Sequence, residues 1–300
     1  MEQTLETLVE NAMTIAEPWK KNGQVASYIP ELSNADPKQL GISLMTKDGR
    51  LYSAGDSDYA FTIQSIVKCY FLLFALDKWG EDIVFSLVHM EPSGASFQSP
   101  AITPLPQIRP ANPFINAGAL VLCSLIASTY SLEEFVESLA QLISREDLPI
   151  DRAVYQSEYA HSRANRQSLN KLAELELLRA DRETTLDFYI KSCAILMDTK
   201  DLARMAWAFK HHEAISPRHR LILESLMFTC GMYNGSGEYA VRVGIPSKSG
   251  VGGGLIALHD DYCFGLYAPA LDPKGNSLAA RKAMAFFSEE LRLHVFDRTD

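Results

Sequence analysis

Short runs rich in β-forming residues lie near both ends of the chain, and helix-patterned segments fill the middle. The first runs are Gln39 to Met45 and Arg50 to Ala54, around Lys47-Asp48-Gly49, which predicts a hairpin turn. The second group is Tyr239 to Ile245, Gly253 to His259 and Cys263 to Ala268, with a turn at His259-Asp260-Asp261. Helices are predicted over Gln64 to Trp79, Asn116 to Thr129, Leu132 to Leu142, Arg166 to Arg179, Thr199 to His211 and Arg218 to Phe228, with a last one from about Asn276 to Leu293. The strands come in hairpins and not in βαβ units. This predicts an α+β fold: one antiparallel sheet assembled from distant segments, about 25–60 and 235–295, with a large helical portion of about 61–234 packed against it. A binding cleft is expected where the two meet.

With 300 residues the chain has ample material for a sizeable core, and its 47% apolar and 22% charged residues are those of a soluble globular protein. The net charge of −9 has no offsetting cluster of Lys and Arg, which argues against nucleic acid and anionic membrane as partners. Residues 1–13 carry Glu2, Glu6 and Glu10 and no basic residue, so they lack the pattern of a signal peptide. Apolar stretches such as Ala117 to Ala127 are too short to span a bilayer. The cysteines, 69, 123, 193, 230 and 263, are odd in number and sit in apolar contexts, as buried reduced thiols do. A cytoplasmic protein is expected.

Gln64-Ser65-Ile66-Val67-Lys68 opens a predicted helix. Residues three apart share a helical face, so the Lys68 amine can approach the Ser65 hydroxyl. The flanking Ile66, Val67, Cys69, Tyr70, Phe71 and Leu72 are apolar. Burial there lowers the proton affinity of an ammonium and makes it a base able to activate serine. Ser-x-x-Lys alone is a weak pattern, and a second copy, Ser168 to Lys171, lies in a polar helix where the lysine should be solvated. The second candidate is Lys248-Ser249-Gly250-Val251-Gly252-Gly253-Gly254, between β-rich runs. A Lys-Ser-Gly strand beside a Ser-x-x-Lys helix is the arrangement of penicillin-recognising serine enzymes. There the strand supplies a cation and a backbone N–H to the reacting carbonyl, and glycines admit close approach of a ligand. Asn116 reads as a helix cap, and Ser157-Glu158 and Asn165 as a polar, loop-like surface. His211, His212, Glu213 and His219 lack a matching ligand pair elsewhere, so no metal is expected.

With these residues in place, the chain resembles the serine-dependent glutaminases of bacterial type. The matching segments are VASYIPEL (25–32), FTIQSIVK (61–68), EPSG (91–94), NPFINAGA (112–119), SE (157–158), RAN (163–165), DLARMA (201–206), TCGMY (229–233), KSGVGGG (248–254) and LDPKGNS (271–277). The resemblance implies a fold like that of β-lactamases and DD-peptidases, in one catalytic domain over 1–300. It implies hydrolysis of L-glutamine to L-glutamate and ammonia without a cofactor, and a homodimer or homotetramer. Ser65 is then the nucleophile, Lys68 its activating partner and Tyr233 a proton shuttle, with Tyr189 the alternative. Tyr28, Gln64, Asn116, Glu158, Asn165, Tyr189, Tyr233 and Val251 match positions that line the family's glutamine pocket. Glu158 would meet the substrate ammonium, Asn116 and Asn165 its carboxylate, and the backbone N–H groups of Ser65 and Val251 its oxyanion. The chain departs from the pattern at Cys193-Ala194, at Gln98 and over Phe209 to His219. Two other readings stay open: a penicillin-binding or β-lactamase-like serine hydrolase, and a non-catalytic amino-acid-binding protein.

Overall fold

The structure, a computed structural model, describes residues 4–93, 102–103 and 108–297. Its strands are β1 Gly41–Thr46, β2 Leu51–Gly55, β3 Phe61–Thr62, β4 Ile102–Thr103, β5 Arg109–Pro110, β6 Leu196–Met197, β7 Ser247–Ser249, β8 Gly254–Leu258 and β9 Tyr262–Tyr267. Its α-helices are α1 Leu5–Ala16, α2 Val67–Leu87, α3 Asn116–Ala127, α4 Leu132–Leu142, α5 Arg152–Ala160, α6 Arg163–Glu174, α7 Arg182–Cys193, α8 Thr199–His211, α9 Pro217–Cys230, α10 Ser236–Arg242 and α11 Leu278–Glu290.

The main sheet runs in the order β2-β1-β9-β8-β7, with every neighbour antiparallel. Strands from the two ends of the chain meet at β1 and β9, where Gly41 pairs with Tyr267 and Thr46 with Tyr262. Both faces of this sheet are covered. Ile42, Leu44, Leu255, Phe264 and Leu266 pack with Leu8, Val9, Ala283 and Phe287 of the two terminal helices, α1 and α11. On the other face Ile256, Leu258 and Cys263 join the helical core with Leu202, Met205 and Phe209 of α8. A bond of 2.7 Å between the Ser43 and Thr199 hydroxyls ties β1 to α8. This double burial explains why Gly254–Leu258 reads as continuously apolar and not as an alternation.

The helical core centres on α2, whose Val67 to Leu76 are all buried, and on α3. Helix starts follow local chemistry: Ser131 and Glu134 form a capping box on α4, and Asp181 and Asp198 cap α7 and α8. The predicted end of the first long helix at Trp79 coincides with Gly80, which takes a left-handed φ of 75° and breaks α2. The strand predicted at Tyr239 to Ile245 does not form. Residues 236–242 are α10, and Tyr239 and Val243 are buried from that helix and its end. Asn116 is not the cap of α3 but its first residue, with Ile115 at the cap position. Nor are Glu158 and Asn165 surface loop residues: they lie on α5 and α6, and both are buried. Four cysteines are buried as expected, while Cys230 is only half-buried. Among the described residues no single helix is long and apolar enough to cross a membrane.

Candidate active site

The site forms where the start of α2 meets the turn between β7 and β8. β3 pairs with β6, Ile63 N–H bonds to Ile195 O at 3.0 Å, and residues 64–66 make one 3-10 turn before α2 begins. Gln64 holds a left-handed φ of 49°, which side chains other than glycine seldom adopt. Ser65 follows it, buried at the head of the helix. The Gly250–Gly253 turn packs directly on this segment. A Cβ on Gly250 would stand 2.6 Å from the Ile63 carbonyl oxygen, so no larger residue fits without displacing one backbone or the other.

Tyr233 joins the two sides. Its hydroxyl donates to Ser249 O at 3.0 Å, and the Ser65 side chain and the Val251 backbone lie close enough to the phenol oxygen to lower its proton affinity. Burial holds the Tyr233 phenol well above its ordinary proton affinity.

One turn after Ser65, as the second residue of α2, Lys68 is fully buried. Its Nζ donates to Asn116 Oδ1 at 2.6 Å and to Phe114 O at 3.2 Å. Burial lowers its pKa to about 8, against the pull of Cys193 and Glu158. Asn112 organises these acceptors. Its Oδ1 takes the Phe114 and Ile115 N–H groups at 3.0 Å each, and its Nδ2 donates to Glu91 O at 2.7 Å. The Asn116 amide then extends the network, donating to Asn165 Oδ1 at 2.9 Å and accepting from the Tyr189 hydroxyl at 3.4 Å.

Tyr28, Gln64, Ser65, Asn116, Glu158, Asn165 and Tyr189 line a single cavity, shared with His161 and Cys193. Tyr28 is the outermost of the predicted set, with 47% of its surface exposed. Glu158 is buried and its Oε2 has no hydrogen-bond partner among the described residues. Burial pushes this carboxyl up to about 7, opposed by the charge of Lys68 and a hydrogen bond to Gln64. An orphaned carboxylate oxygen in a cavity wall is free to accept a hydrogen bond from a ligand.

The structure therefore brings together every residue predicted for the site. It adds Lys248, which the β7 motif singled out but the pocket set omitted. Lys248 is fully buried, with Nζ 2.6 Å from Ser249 O and 4.6 Å from the centre of the Tyr233 ring. Burial, and then repulsion from Lys68, lower its pKa to about 7. Asn112 was missed too. Its only signal was a place in NPFINAGA, four residues before Asn116. In the second Ser-x-x-Lys, Lys171 is solvated as expected and pairs with Glu174 at 3.1 Å.

A glutaminase family profile matches residues 23–296. The chain belongs to the glutaminase family. A glutaminase of Clostridium botulinum (strain Hall) is 40% identical over 99% of this chain and 100% of its own length. Glutaminase 2 of Bacillus subtilis (strain 168) is 39% identical over 97% of each. Among solved structures, Mglu in its native form superposes with a TM-score of 0.92 at 33% identity, over 100% of this chain and 76% of that one. The Bacillus subtilis glutaminase YbgJ, in covalent complex with 5-oxo-L-norleucine formed by reaction with 6-diazo-5-oxo-L-norleucine, gives 0.87 at 32% identity, over 98% and 100%. The chain is thus an enzyme, a glutaminase. Of its departures from the family pattern, Ala194, where the family commonly has serine, is buried at the end of α7 next to the cavity-lining Cys193, the 209–219 segment closes α8 and enters α9, and Gln98 lies outside the described residues.

Proposed function

We propose that this glutaminase hydrolyses the side-chain amide of L-glutamine through a γ-glutamyl ester on Ser65. The observation that carries the reading is the meeting of the Ser65 hydroxyl and the Val251 backbone at the Tyr233 hydroxyl, beside a cavity that holds the unpaired Glu158 oxygen. Glutamine offers an ammonium, a carboxylate and a neutral amide, and the cavity offers groups for each. Glu158 pairs with the ammonium, while Asn116, Asn165 and tyrosine hydroxyls hold the carboxylate. The amide carbonyl then reaches Ser65, with the N–H groups of Ser65 and Val251 receiving its oxygen as charge develops.

In this mechanism neutral Lys68 takes the Ser65 proton as the hydroxyl oxygen attacks the carbonyl carbon. The tetrahedral intermediate expels ammonia, which leaves with a proton passed from Lys68 or Tyr233. Water attacks the ester next, gives its proton back to the same pair, and glutamate departs with Ser65 restored. Lys248, whose amine sits over the Tyr233 ring, packs against the phenol and keeps it oriented. The covalent 5-oxo-L-norleucine complex of the YbgJ enzyme, in which the diazo nitrogen is lost and the 5-oxo group kept, supports a protein nucleophile beside the reacting end of a glutamine-like ligand. The arrangement of Ser65, Lys68 and the Lys248-Ser249-Gly250 strand supports the β-lactamase-like reading of the fold.

The test is ammonia release from L-glutamine, L-asparagine and D-glutamine side by side. L-Glutamine should be strongly preferred. Ser65→Ala should abolish release while glutamine still binds, and normal turnover by that variant would remove Ser65 from the mechanism.

A further inference from the structure

Tyr233 holds a left-handed backbone, with φ at 50°. A tyrosine stays there only if its surroundings fix it on several sides. The flanking peptide groups show how. The Met232 N–H donates to Ser236 Oγ at 3.1 Å, and the same hydroxyl donates to Tyr233 O at 2.9 Å. From the other side Asn276 Nδ2 donates to Met232 O at 3.2 Å. Asn276 is fully buried and comes from a distant turn that is itself rigid. Asp272 N–H bonds to Asn276 O at 2.8 Å, its carboxylate accepts the Lys274 and Asn276 N–H groups at 2.8 and 3.0 Å, and Arg281 pairs with it at 2.6 Å. Gly235 lets the two parts touch, since a Cβ there would lie 3.1 Å from Asn276 Nδ2.

We propose that Ser236 and Asn276 are positioning residues that lock the backbone of Met232 and Tyr233, so that the Tyr233 hydroxyl stays on the Ser249 carbonyl and beside Ser65. Neither side chain reaches the reacting atoms; both act through Tyr233. The proposal rests on the role given to Tyr233 above, and it gives the LDPKGNS segment a function in catalysis although it lies far along the chain.

The experiment is a set of double-mutant cycles on kcat and KM for L-glutamine, with Ser236→Ala, Asn276→Ala and Tyr233→Phe. Tyr233→Phe should lower kcat. Ser236→Ala and Asn276→Ala should each lower kcat about tenfold or more with KM within about twofold, the split that marks lost transition-state contacts. In the Tyr233→Phe background neither should lower kcat further, because the group they position is gone. Ser236→Thr, which keeps the hydroxyl, should recover most of the rate. Where Ser236→Ala or Asn276→Ala does not fold, Gly235→Ala serves instead: it crowds the Asn276 amide without removing a hydrogen-bonding group and should give the same kcat-selective loss. Equal losses in both backgrounds, or a loss confined to melting temperature, would overturn the positioning role while leaving Tyr233 in the mechanism. If Tyr233→Phe itself keeps full kcat, the role of the tyrosine fails, and the positioning role with it.

Discussion

Lys68 and Glu158 set the pH behaviour, in the same direction. Lys68, lowered to about 8, becomes a neutral base only above that pH, and Glu158, raised to about 7, is an anion only above its own. Both active forms therefore lie on the alkaline side, and kcat/KM should climb as pH rises from 6 to about 8.5. A profile that falls over that range would exclude Lys68 as the base. Lys68→Arg carries a permanent charge and should lower kcat by about 10²-fold or more at every pH, which a pH series of initial rates will read. Ser65 and Lys68 were legible in the sequence because a polar pair three apart stands out in an apolar run. Glu158 was not. On α5 the buried positions are Val154 and Glu158 alone, so the inward face is half charge and carries no hydropathic signal. Only the resemblance marked it.

Elements went astray for a related reason. Tyr239 and Val243 are four apart, a spacing that puts both on one side of a helix and also on one face of a strand. The residue that separates the two periods is Val241, which a strand would bury with them and α10 leaves 79% exposed. Helix α7 hid differently: Thr185, Leu186, Phe188, Tyr189, Ile190, Ser192 and Cys193 are all buried, so little polar face remains to show a period. The β7–β8 turn, by contrast, announced itself through its glycines, and the contact of Gly250 with Ile63 O explains one of them. Gly250→Ala should push the Val251 amide away from Ser65 and lower kcat/KM by about 10²-fold. Far-ultraviolet circular dichroism should stay unchanged, since no helix depends on the turn. Wild-type kinetics for this variant would mean that the amide of Val251 does not assist the reaction.

At the scale of the molecule, the sequence already placed strands at both ends and helices between, because β1, β2, β8 and β9 are short β-rich runs bounded by turns. What it did not reveal is that terminal helices α1 and α11 cover the outer face of the sheet, opposite the helical core and the site. The two cores should therefore separate in experiment. Phe264, packed at 4.9 Å against Phe287 in the outer core, should cost about 3–5 kcal/mol of stability as Phe264→Ala. The folded fraction should keep near-normal kcat, as denaturant titration paired with kinetics will test. The central claim, that Ser65 attacks the substrate, is tested most directly by treating the enzyme with 6-diazo-5-oxo-L-norleucine and mapping the adduct by peptide mass spectrometry. The adduct should sit on Ser65 and vanish in Ser65→Ala. Attachment to Cys193, Tyr233 or any other side chain with Ser65 unmodified would contradict it.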